Sequence, residues 1–229
     1  MLNLFLMATG VVAVFLSATS VVLAQHRIEH LRSTGETFAQ RDVSRSRAAF
    51  VVVVIASVAA CVMVARNVGW SFALLGFVFT MFGCVYLTLV DIDTHLLPWN
   101  DSILVGVTSC AFLVIDAVVR SQSEVIAVMA ACGIVTWCVF RFIEWMSRGD
   151  LGGGDVVLAS VLAAVLGWFG TGAVVNALVY AIVCAGVFAL GAMVVSGFRP
   201  RTAFAFGPFL IVGAVIVIVT SDPLWVTAQ

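Results

Sequence analysis

Carboxylates are the side chains best placed to do chemistry in this chain. It holds twelve acidic residues, and six of them fall in the polar breaks after residue 90 and after residue 140: Asp91, Asp93, Asp101, Glu144, Asp150 and Asp155. Asp91 directly follows the apolar run Leu87-Thr88-Leu89-Val90. Asp155 directly precedes Val156-Val157-Leu158 and follows Gly152-Gly153-Gly154. Each is therefore fixed by the end of an apolar segment rather than floating in a loop. Two such carboxylates, one ionised and one protonated and sharing a water, can hydrolyse a peptide bond without metal or covalent intermediate. The bland account of 152–155 is a glycine-rich turn with Asp155 as helix N-cap. Asp101 reads as an N-cap in Asn100-Asp101-Ser102, with Pro98 ending the helix before it. Glu29, Glu36 and Asp42 read as solvated charges, and Asp116, inside an apolar run, as a hydrogen-bonded or snorkelling carboxylate. His95 reads as structural or solvent-facing. His26 and His30 are four apart and could share a helix face, but without further ligands no metal is expected. The six cysteines (Cys61, Cys84, Cys110, Cys132, Cys138, Cys184) form no CxxC pair and read as small buried hydrophobes.

The elements that position these residues belong to a membrane protein. Of 229 residues, 63% are apolar and only 10% charged, with a net charge of −1. Ordinary soluble domains are roughly 45–50% apolar and about 25% charged, so a soluble enzyme and a disordered chain are excluded, and the lack of a basic surplus excludes a nucleic-acid binder. Eight apolar runs suit an all-α bundle of about eight membrane helices: Leu2–Ala24, Ala48–Ala65, Trp70–Val90, Ser102–Val119, Val125–Phe140, Val156–Phe169, Ala173–Val195 and Ala203–Thr220. They are continuous rather than alternating, which rules out a barrel. Leu2–Ala24 is too long for a signal-peptide core and has no charged segment before it. The chain divides into a first membrane helix (1–24), an Arg-containing loop (25–47), a membrane core (48–220) and a tail (221–229). All eleven basic residues are Arg. With both termini outward, the inward loops hold nine and the outward loops only Arg66 and Arg120, so the positive-inside rule predicts N-out, C-out. The inward loops are then 25–47, 91–101, 141–155 and 196–202, and the chemistry lies on the cytoplasmic side. Val156–Phe169 covers roughly 21 Å of a hydrocarbon core about 30 Å thick. Asp155 is thus expected below the membrane surface in a cavity that admits water, where a carboxylate is a functional candidate by default. The three glycines would allow close helix approach.

Three stretches carry a resemblance. Asp91-Ile92-Asp93-Thr94-His95-Leu96-Leu97-Pro98 resembles the first aspartate motif of type IV prepilin peptidases, an Asp seven residues before a Pro. Gly152-Gly153-Gly154-Asp155 resembles their GxGD motif. Phe206-Gly207-Pro208-Phe209-Leu210 is similar to a third family segment near the last span. The resemblance covers roughly residues 48–220. It implies an intramembrane aspartic endopeptidase that cuts the short basic leader from prepilin or pseudopilin-like substrates, at the cytoplasmic side of the plasma membrane. Asp91 and Asp155 would be the catalytic pair, supported by Pro98, Gly152, Gly153, Gly154, Gly207 and Pro208. Val157 stands where the family often has Lys, and Ala205 where a Pro often precedes FGP. Loop 25–47 lacks the cysteine pairs of larger members, so the chain resembles the short form, with no S-adenosylmethionine-dependent methylation and no cofactor expected. Asp93, Glu144 and Asp150 are candidates for attracting the basic leader, with solvated loop charges as the alternative. Helix-end dipoles favour Asp155 as the ionised base and Asp91 as the protonated acid. The competing readings are an ion-coupled transporter, whose sites usually lie at the midplane rather than at one face, and a non-catalytic scaffold of a pilus or secretion assembly.

Overall fold

The structure, a computed structural model, describes residues 2–33, 47–94, 97–147, 152–195 and 206–221. Among them the chain is a bundle of eight α helices: α1 (Leu2–Ser33), α2 (Arg47–Val68), α3 (Phe72–Thr94), α4 (Trp99–Val119), α5 (Ser123–Met146), α6 (Gly153–Leu166), α7 (Thr171–Val195) and α8 (Gly207–Thr220). Six are long and apolar enough to cross a membrane. α6 with its 3-10 extension to Phe169, and α8, are shorter apolar helices. The chain is thus a polytopic helical membrane protein.

The helices lie where apolar runs were expected, but most of them reach further at one end. α1 continues nine residues past Ala24, so the first part of the expected 25–47 loop is helical and residues 34–46 lie outside the described residues. The reason is a stripe: Val21, Ala24, Ile28 and Leu31 recur at three- and four-residue spacing and pack on Leu89 and Val90 of α3. At about 1.5 Å per residue, α1 is roughly 48 Å long and outruns the bilayer core. α3 runs on through Asp93 and Thr94, and α5 through Arg141 and Glu144, which form an i,i+3 ion pair. α4 begins at Trp99, before the expected Ser102. α8, by contrast, begins at Gly207 rather than Ala203, which lies outside the described residues; Pro208 sits in its first turn, where a missing N–H costs nothing.

Tight reversals make neighbours antiparallel. Gly69 (φ 69°) turns α2 into α3, Ser121 (φ 58°) lies between α4 and α5, and Gly170 (φ 100°) turns the Gly167–Phe169 3-10 segment into α7. Only glycine takes such φ values freely. α3 is the centre of the bundle: 72% of its most apolar window is buried, against 17–33% in the other long helices. α1, α2, α4 and α8 pack on it, and α4 and α8 each also pack on α6. The close contacts use small residues, as expected where lipid removes the hydrophobic drive. A Cβ at Gly83 would come within 2.2 Å of Val105, one at Gly106 within 2.6 Å of Val161, and one at Gly213 within 2.2 Å of the Ala177 carbonyl. Of the cysteines, Cys61, Cys84 and Cys132 are buried as expected, but Cys110 and Cys184 are only partly so and Cys138 faces outward.

Candidate active site

Asp91 lies in the last turn of α3, inside the helix rather than at its end. It is 5% exposed, and its Oδ2 has no hydrogen-bond partner. Such a buried orphan oxygen is costly and calls for an explanation. Asp155 is the third residue of α6, not its N-cap: that position belongs to Gly152, whose carbonyl accepts the Asp155 N–H at 3.0 Å. Gly152-Gly153-Gly154 is therefore the start of a helix rather than an unwound turn. The two carboxylates come from helices that α4 and α8 bridge, and they meet at the first residue of α8. A Cβ built on Gly207 would lie 2.6 Å from Asp91 Oδ2 and 3.4 Å from Asp155 Oδ1. Measured from that one point, the two oxygens are no more than about 6 Å apart, the range in which like charges couple strongly.

The supporting residues have separate tasks. Gly154 carries the close approach expected of the glycines: a Cβ there would meet the Leu97 carbonyl at 2.3 Å, so the segment before α4 lies directly on the start of α6. Gly152 and Gly153 have no such contact, the nearest atoms being Asp155 Oδ2 and Glu144 Oε1 at 3.6 Å. Pro98 caps α4 in an extended conformation, its carbonyl accepting the N–H groups of Asp101 at 3.1 Å and Ser102 at 3.2 Å.

The family model that matches the chain covers residues 78–190, the stretch that holds both aspartates, and describes the type IV leader peptidase family. Over that stretch, about half of its length, the chain is similar to that family. It is also similar to a prepilin leader peptidase/N-methyltransferase of Neisseria gonorrhoeae, 27% identical over 164 residues. The match takes in 71% of this chain and 54% of the relative, so the chain spans about half of the relative's length. No solved structure matches it.

The other candidate acids do not share one setting. Asp93 is fully buried in α3 rather than loop-borne, and an effect on a distant cation would act through the field, not by contact. Glu144 is on α5, ion-paired to Arg141 and beside the start of α6. Asp150 lies outside the described residues, as do His95, Leu151 and Ala205. Asp116 is buried and paired to Arg120 at 2.6 Å, as its position inside an apolar run suggested. Asp101 is not an N-cap. It sits in the first turn of α4, accepts the Tyr86 hydroxyl at 2.7 Å and faces Arg27 Nε at 3.3 Å, tying α1, α3 and α4 together. Sequence reading missed Arg27 and Tyr86; the available signal was the apolar stripe that carries α1 past Ala24. No cluster of three or more metal-ligating side chains occurs among the described residues.

Proposed function

We propose that the chain is an intramembrane aspartic endopeptidase that removes the short basic leader from prepilin or pseudopilin-like proteins. The observation that carries this is the meeting of Asp91 and Asp155 at Gly207, with a buried carboxylate oxygen left without a protein partner. A water held between the carboxyls attacks the scissile carbonyl as the ionised aspartate takes its proton, while the protonated one donates to the carbonyl oxygen. Asp155, in the first turn of α6, is assigned the base and Asp91, in the last turn of α3, the acid, because each helix-end field, typically about 0.3–1 kcal/mol, biases the pair that way. Site-resolved infrared spectroscopy that finds the protonated carboxyl on Asp155 reverses the assignment.

The dyad lies at the bundle end where α1 and α3 finish and α6 and α8 begin. Arg27, Arg32, Arg47 and Arg141 belong to that end, and Arg66 and Arg120 to the other. By the positive-inside rule this end is cytoplasmic, with both termini of the chain outward.

Co-expression with a prepilin-like substrate tests the reading. Leader removal is expected from the native chain. Asp91→Asn and Asp155→Asn should each abolish it at unchanged protein level, and substantial cleavage by either variant overturns the dyad. A transporter or scaffold would leave the leader in place in all three.

A further inference from the structure

A groove of about 600 Å³ runs between α1, α3 and α4, well within the range of roughly 300–1,000 Å³ typical of ligand sites. Its walls are apolar: Leu16, Leu23, Phe79, Phe82, Leu104 and Val105. Its polar end carries His26, Arg27 and His30 beside Tyr86 and Asp101. We propose that this groove binds one phospholipid of the leaflet on the dyad's side, with an acyl chain in the apolar part and the phosphate at Arg27 and the two imidazoles.

Three observations choose a lipid over a substrate helix. The first is depth. From Arg27 to Leu16 along α1 is about 16 Å, half of a hydrocarbon core about 30 Å thick. The groove is one leaflet deep, whereas a spanning helix would need the full thickness. The second is facing. On α3 the groove is lined by Phe79, Phe82, Gly83 and Tyr86, a single stripe of three- and four-residue steps. Asp91 is five residues beyond Tyr86, about 140° around the helix, so the groove opens on a different face from the dyad. The third is chemistry. An arginine fork and imidazole N–H groups are donors suited to phosphate oxygens. The Tyr86–Asp101–Arg27 contacts fix the guanidinium at the groove's polar end. A basic leader would meet Arg27 and the two imidazoles there, and the carboxylate beside them, Asp101, already faces Arg27.

Native mass spectrometry of the detergent-purified chain tests this without any activity readout. The probes are phosphatidylglycerol and a diacylglycerol with the same chains but no phosphate. One retained phosphatidylglycerol per chain is expected, and no diacylglycerol. Arg27→Gln should weaken retention at least about tenfold, the effect of losing one charge-assisted hydrogen bond. Leu104→Trp, at a position 68% exposed, should block the groove without disturbing the fold, which an unchanged melting temperature checks. Equal retention by the native chain and both variants, or equal retention of diacylglycerol, overturns the site. A photo-crosslinker at 104 that captures the prepilin-like substrate instead of lipid in membranes overturns it in favour of a substrate groove. Loss of cleavage by Asp91→Asn leaves lipid retention unchanged, so the two proposals fail independently.

Discussion

A methyl group at position 207 would fall between the two aspartates, closer to Asp91 Oδ2 than any contact allows. Gly207 is therefore there for what it leaves empty. Gly207→Ala should cut leader removal about 100-fold, the effect of displacing reacting groups by roughly 1 Å, at unchanged protein level; a variant with near-native cleavage would show that the reaction happens elsewhere. Asp93→Asn should be milder than either dyad change, because two residues apart on a helix Asp93 and Asp91 point to different faces. That Asp91 and Asp155 are fixed by helices was legible in the sequence, because Asp91 follows one apolar run and Asp155 precedes another. Their surroundings were not. Nothing in Asn100-Asp101-Ser102 says that Asp101 will find Tyr86 and Arg27, since that depends on where α1 lies against α3 and α4. Nor could a loop position for Asp93 survive once α3 continued past Asp91 and buried it.

At the scale of elements, the contact between Gly154 and the Leu97 carbonyl sets how the segment before α4 meets α6. Gly154→Val should separate them and lower both stability and cleavage, with overpacking of this kind typically costing about 1–3 kcal/mol. Thermal unfolding in detergent and the co-expression assay read the two effects. Gly172→Ala, at a glycine with nothing near its missing Cβ, is the control and should be close to neutral. The eight apolar runs mark the helices, because hydrophobicity alone decides what enters a bilayer. Their ends were hidden for a physical reason: beyond the hydrocarbon, a helix persists only if a neighbour covers its stripe. Ile28 and Leu31 have that neighbour in α3, and Glu144 continues α5 with Arg141 as its partner.

For the whole molecule, the arginine distribution predicts sidedness. Reporter fusions within 34–46 should report the cytoplasm and fusions after Ser221 the outside; the reverse result would put the dyad on the wrong face for a cytoplasmic leader. Long-range attraction of a basic leader makes a further demand. Neutralising Asp93, Glu144 and Asp150 together should slow processing and flatten its salt dependence, because added salt screens charges over about 10 Å at 0.1 M. Unchanged rates at low and high salt would leave these acids with no part in steering.

The helix between the carriers of Asp91 and Asp155 has a consequence for how the proposed site can vary. α4 touches α3 where Gly83 faces Val105, and touches α6 through its own Gly106 against Val161. Glycine on one side of each contact leaves nothing to remove on that side. Sequence drift at Gly83 or Gly106 can therefore move the aspartates in one direction only, apart. At these two glycines the width of the site has a floor but no ceiling. Loosened variants should tolerate bulkier residues at the scissile bond, and a selection for narrower specificity should find no solution in Gly83 or Gly106.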